Sequence, residues 1–167
     1  DCKIMAAEFA FQGFIAAVAS IRLAGNMITG SSEKHYTGSG DWDYDSDLSG
    51  IIAFGEAAAV SKTLTSIDLS GCGVAAAGIA EVARFISAGA GLTLAKIIGN
   101  PIGSEGAKVM IDAFDANPQL QSLCGITPGS TTVDLSESNM GPADCLILAH
   151  ELQAGRAGAD TVDINLS

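Results

Sequence analysis

From Leu64 to Val74 the apolar positions fall at 64, 67, 69, 72 and 74, and the alternation through Ile67-Asp68-Leu69-Ser70 has the period of two of a short strand that Gly71 ends. The same columns return 28 positions later at Leu92, Ala95, Ile97, Asn100 and Ile102. They also stand upstream at Ile21, Leu23, Asn26 and Ile28, which lie 46 positions before their counterparts, or one period of 28 plus 18 extra residues. After each strand the apolar spacing becomes helical. Ala107, Met110, Ile111 and Phe114 lie at i, i+3, i+4 and i+7, and similar stretches predict helices over about Lys3 to Val18, Ile51 to Ser61, Ala75 to Ser87 and Pro142 to Gln153. Ser104 is the expected N-cap of its helix, Pro142 suits a first helical turn, and Asn117-Pro118 is a stop.

Downstream the spacing slips. Leu120 and Leu123 stand one period after Leu92 and Ala95, but a second short strand, Val133-Asp134-Leu135-Ser136, follows with no helical stretch between them. Ile164 to Ser167 restart the strand pattern and read as an open end.

Leu64, Ile67, Leu69, Cys72 and Val74 fill all five columns of the pattern LxxLxLxxN/CxI, and the next unit repeats it with only Ala95 small. The chain resembles the leucine-rich repeats of the ribonuclease-inhibitor type. That resemblance implies an α/β solenoid, a horseshoe segment over residues 1–167 with parallel strands on the concave face and helices on the convex one, made irregular by an acidic insertion over about residues 30–49. Gly125 in a leucine column and Ser138 in the Asn/Cys column depart from it. In such a repeat, Asn26, Cys72 and Asn100 are expected to turn inward and satisfy the backbone of the adjoining loop, while Gly25, Gly71, Gly99 and Gly103 serve the turns.

Strand residues alternate faces, so the positions between core columns are expected on the concave surface. Arg22, Ser66, Asp68, Ser70, Lys96, Ile98, Asp134 and Ser136 are the candidate partner-binding residues there, beside Ala24, Ser122, Cys124, Asp163 and Asn165. The face is small, polar and mildly acidic. Large anchors are missing from it, and Trp42 and Tyr44 in the insertion, expected to be a protruding loop, are the better candidates for an interface hot spot.

The insertion also carries Asp41, Asp43, Asp45 and Asp47 in alternation. Asp45, Asp47, Ser49 and Glu56 occupy positions 1, 3, 5 and 12 of a loop with Gly50 at position 6, similar to an EF-hand calcium site. No amphipathic helix precedes it and no second such loop exists, so a solvated acidic loop accounts for the same residues.

Net charge narrows the partners. With 8 basic and 19 acidic residues the chain carries −11, which argues against nucleic acid and favours a protein whose docking surface is basic or apolar. The longest apolar stretch, Ile4 to Ala19, is broken by Glu8 and Gln12 and is too short to span a bilayer. Cys2, Cys72, Cys124 and Cys145 form no CxxC pair, which favours a reducing, intracellular compartment. His35 and His150 have no nearby nucleophile with a third orienting group, and no phosphate-binding glycine motif occurs. The expected function is a non-enzymatic protein-interaction module or a structural subunit of a larger assembly without a cofactor. A calcium-responsive binding protein is the alternative.

Overall fold

The computed structural model describes residues 4, 18–34, 41–88, 91–157 and 163–166. The helix expected from Lys3 to Val18 falls almost wholly outside the described residues, as do Cys2 and His35. The chain is mixed α/β. In order it runs β1 (Ser20–Arg22), β2 (Ser32–Glu33), β3 (Trp42–Asp43), α1 (Ser49–Val60), β4 (Ser66–Asp68), α2 (Ala76–Ala88), β5 (Leu94–Lys96), α3 (Gly103–Ala116), β6 (Thr132–Asp134), α4 (Pro142–Ala154) and β7 (Asp163–Asn165). Among the described residues no helix is long and apolar enough to cross a membrane.

The repeat columns set the strand register. Ile21 faces Ile67 and Ile67 faces Ala95 in a parallel sheet of order β1-β4-β5, so offsets of 46 and 28 in sequence become adjacency in space. Leu94 continues the sheet through a parallel bridge to Ser122. A single core receives the apolar columns of the strands and one stripe of each helix, including Ile51 and Phe54 of α1, Ile79, Val82 and Ile86 of α2, and Met110 and Phe114 of α3. Each helix packs on the next in chain order. Phe54 and Phe85 meet edge to face at 6.0 Å between the first two.

Buried polar columns close the turns between units. Asn100 donates through Nδ2 to Leu69 O (2.8 Å) and Ile97 O (2.7 Å), and its Oδ1 accepts the Val74 N–H at 3.0 Å. One side chain thus satisfies three backbone groups of two successive units, which a buried turn requires. Cys72 directs its thiol at Leu23 O, 3.0 Å away, one unit earlier. Asn26 makes the bond equivalent to that with Ile97, to Leu23 O, and another to Ala24 O, but is exposed.

The slip after Leu123 is a break in the sheet. β6 pairs in parallel with β7, Val133 facing Ile164, in a second two-stranded sheet. The helix missing from this unit is replaced by a loop stitched with polar side chains. Asn117 Nδ2 donates to Ile86 O (2.9 Å), and Arg156 Nη1 donates to the carbonyls of Phe114, Asn117 and Leu120 at 2.7, 3.0 and 3.1 Å while its guanidinium lies 4.1 Å from the Phe114 ring centroid. Glu151 Oε2 accepts the N–H groups of Leu123 and Cys124.

Two local expectations are corrected. Ser104 is not a cap: α3 begins at Gly103, its N-cap is Ile102 and no side chain caps it, which leaves Ser104 exposed in the first turn. Nor is the insertion a plain protruding loop, because β2 and β3 form an antiparallel ribbon, Glu33 opposite Trp42. The base of the ribbon is clamped to the β4 unit by buried Thr29 and Ser31, whose hydroxyls reach Gly73 O at 3.5 and 2.7 Å.

Candidate functional site

The turns that leave the parallel strands all lie at one end of the sheet, and there they floor an open cleft of about 920 Å³. Gly25 and Met27 come from the turn after β1, Ser70, Gly71 and Gly73 from the turn after β4, and Gly99, Asn100, Pro101, Gly103 and Ser104 from the turn after β5. The insertion contributes Trp42 and Tyr44 as one wall. Glu137 to Asn139 and the first turn of α4, as far as Leu146, form the other.

Trp42 and Tyr44 lie two residues apart at the end of a strand, so their side chains share a face. Their rings stack with centroids 5.9 Å apart and 12° between planes, and they remain 40% and 41% exposed. Met27 (45%) and Leu146 (50%) stand with them in the cleft, so four of the exposed large apolar side chains among the described residues converge on one surface. Isolated exposed apolar residues are ordinary, whereas a contiguous group marks a contact surface. Four polar groups there are uncommitted: among the described residues Lys96 Nζ, the Glu137 carboxylate, Trp42 Nε1 and the Tyr44 hydroxyl have no hydrogen-bond or ion-pair partner.

The floor is built by close backbone approach. Gly25 N donates to Ser70 O (2.9 Å) and Gly71 N to Ile98 O (3.1 Å), each turn gripping the carbonyl of the next unit. At Gly99 the next unit supplies a side chain instead, Asp144 Oδ1 at 3.2 Å, while Asp144 Oδ2 accepts the Gly141 N–H (2.8 Å) at the start of α4. Gly99 has φ +74°, and a Cβ on it would lie 2.5 Å from Ser138 O, so the loop after β6 meets the turn after β5 at a point where only glycine fits. Burial pushes the Asp144 carboxyl above its usual range, against the pull of those two N–H groups.

The residues expected at a binding face divide three ways. Ser70 and Lys96 line the cleft together with Trp42 and Tyr44, joining strand-face and insertion candidates in one site. Arg22, Ser66, Asp68, Asp134 and Ser136 lie at least partly open to solvent outside it. Asp68 is bound by the Ser70 N–H and hydroxyl (3.0 and 2.6 Å), and the hydroxyl and N–H of Ser136 hold the Asp134 carboxyl below its usual range. Ile98 is corrected: it is fully buried, as are Ser122 and Cys124, because the loop before α4 and the α4 side chains cover the strand ends where alternation alone would expose them. Burial, reinforced by the Glu151 charge and its hydrogen bond, also pushes the Cys124 thiol far above its usual range, away from reactivity.

Of the four residues read as a calcium loop, three make local hydrogen bonds and one lies exposed. Asp45 accepts the N–H groups of Ala75 (3.1 Å) and Gly78 (2.8 Å) with its two oxygens and so caps α2, Asp47 turns back on the N–H and hydroxyl of Ser49, and Glu56 lies exposed on α1. Among the described residues no group of three or more His, Cys, Asp or Glu could hold a metal ion. His150 pairs through Nε2 with Asp115 at 2.9 Å, linking α4 to α3.

Sequence reasoning missed Met27, Leu146, Glu137, Asn139 and Asp144. The available signal was positional: Met27 follows the first turn glycine, as Glu137 to Asn139 follow the Asp-Leu-Ser of β6. The backbone there is left-handed at Glu137 (φ +58°) and Asn139 (φ +54°), which sequence gives no cue to for glutamate.

No family model matches the chain, and no curated protein matches it. Among solved structures the chain is similar to leiomodin-1 actin-binding site 2, at 14% sequence identity over 87% of this chain and 69% of that chain, with a TM-score of 0.45.

Proposed function

We propose that the chain is a leucine-rich-repeat solenoid of the ribonuclease-inhibitor type that acts as a non-enzymatic protein-interaction module, either an adaptor or a fixed subunit of a larger assembly. The observation that carries this reading is the convergence of Met27, Trp42, Tyr44 and Leu146 on one cleft beside Lys96 and Glu137, which have no partner among the described residues. Interfaces are dominated by a few large side chains, Trp and Tyr foremost, ringed by polar groups. The solenoid part of the reading is supported by the 28-residue register and the serial packing of the helices.

The experiment is lysine crosslinking in native extract with mass-spectrometric mapping, on the wild type and on Tyr44→Ala. A discrete partner joined through Lys96, whose crosslink falls in the variant, is the expected result. Crosslinks scattered over Lys62, Lys96 and Lys108 without dependence on Tyr44, or recovery of the chain alone, overturns it.

A further inference from the structure

We propose that the cleft takes an extended segment of a partner protein and that an arginine or lysine of this segment seats between the Trp42–Tyr44 stack and Glu137. The inference rests on the interaction reading above and names the chemistry of the occupant. Three observations point the same way. First, the two rings stack at 12° and stay exposed, so the pair presents an aromatic face into the cleft, where a cation can be held by a ring quadrupole. Second, Glu137 lines the opposite wall with no partner among the described residues, so the cation meets a carboxylate across the cleft. Third, the chain carries −11, so a basic segment is steered toward it and an acidic one repelled.

An extended segment also accounts for Lys96. Its ammonium stands on the cleft floor without a partner among the described residues, a donor suited to the backbone carbonyls that an extended chain brings with its side chains. Met27 and Leu146 then cover the aliphatic stem of the bound cation and its apolar neighbours. A neutral sugar would also stack on exposed aromatic rings, but it would leave the net charge and Glu137 without a role.

Trp42 is the chain's only tryptophan, so its emission reads the site directly. Titration with hexa-arginine is expected to give a saturable change that weakens with added salt, and hexaglutamate none. Tyr44→Ala is expected to weaken hexa-arginine by about 3-fold, Glu137→Gln by about 3-fold and Glu137→Lys by at least about 10-fold. Glu56→Lys, the same charge change on α1 outside the cleft, should stay within about twofold. Equal weakening by Glu137→Lys and Glu56→Lys would reduce the effect to net charge and overturn the proposal, as would no saturable change or a response to maltohexaose in place of hexa-arginine. If crosslinking finds a Tyr44-dependent partner through Lys96 while hexa-arginine does not bind, only the cationic occupant falls. If the peptide binds at the cleft and no partner is crosslinked there, the interaction reading falls instead.

Discussion

Glu151 on α4 accepts the backbone N–H of Cys124 through Oε2 at 3.0 Å, and the same oxygen takes Leu123 at 2.9 Å. The sheet breaks at this point, so a side chain from a helix answers donors that have no strand beside them. Glu151 is 1% exposed, and an unanswered buried donor is more costly than a hydrogen bond is stabilising.

Glu151→Ala should therefore lower the unfolding free energy by about 2–4 kcal/mol. Glu151→Gln, which keeps an acceptor in place, should lose less than half of that. Urea unfolding followed by circular dichroism measures both, and equal losses would mean that packing rather than the two N–H groups sets the cost.

Asn100 makes a second prediction about polar columns. Asn100→Ala removes partners from Leu69 O, Ile97 O and the Val74 N–H at a site 6% exposed, and a loss of about 2–3 kcal/mol is expected. Asn26 occupies the same column but is open to water, so Asn26→Ala should cost no more than about 1 kcal/mol. The contrast between the two variants in one unfolding series tests whether burial makes the column essential.

The repeat units were legible because period and register are one fact in a parallel stack: Ile67 over Ala95 is the 28-residue shift seen in space. The break was visible only as a slip. What replaced the missing helix, Arg156 over Phe114 and Glu151 under Cys124, depends on residues 27 to 42 positions away, in and just after α4, whose pattern shows no such task. The site was half legible for a related reason. Alternation placed Lys96 and Ser70 outward, and composition marked Trp42 and Tyr44, but the two groups meet only because Ser31 and Asp45 fold the ribbon back onto the β4 unit. Alternation failed at Ile98, where covering by a later unit outweighs the period of two.

That failure is measurable. Ile98→Ala should cost about 2–4 kcal/mol as a core truncation, whereas Arg22→Ala, on exposed β1, should stay within about 0.5 kcal/mol. Chemical unfolding of the two variants decides it, and a small loss at Ile98 would return that residue to the surface.

Asp144 gives the pH dependence. Burial raises its folded-state pKa above the ordinary 3.8, so the folded chain holds this proton over a range where the unfolded chain has released it. Its contribution is therefore most favourable below 3.8 and declines as pH rises through the elevated value. Asp144→Asn removes the titration while keeping an acceptor for the Gly99 N–H. The difference in stability between wild type and Asp144→Asn should move toward the wild type as pH falls from 7 to 4, by no more than about 1.4 kcal/mol per pH unit. A pH-independent difference in urea unfolding would exclude this group as the source.

Asp45 decides between two uses of the acidic ribbon. Its oxygens already accept the N–H groups of Ala75 and Gly78 at the start of α2, and a Cβ on Gly78 would stand 2.8 Å from Oδ1, so the approach is built for a cap. Asp45→Ala should then lower stability by about 1–2 kcal/mol, in the range of a lost helix cap. A calcium ion would have to draw both oxygens from the helix and bring in Asp47, which is held on Ser49, and Glu56, which lies exposed on α1. Thermal unfolding with and without 5 mM calcium, an amount of about millimolar order, should give one midpoint for the wild type. A midpoint raised by several degrees in the wild type and unmoved in Asp45→Ala would make the ribbon a calcium loop and the cap its resting state.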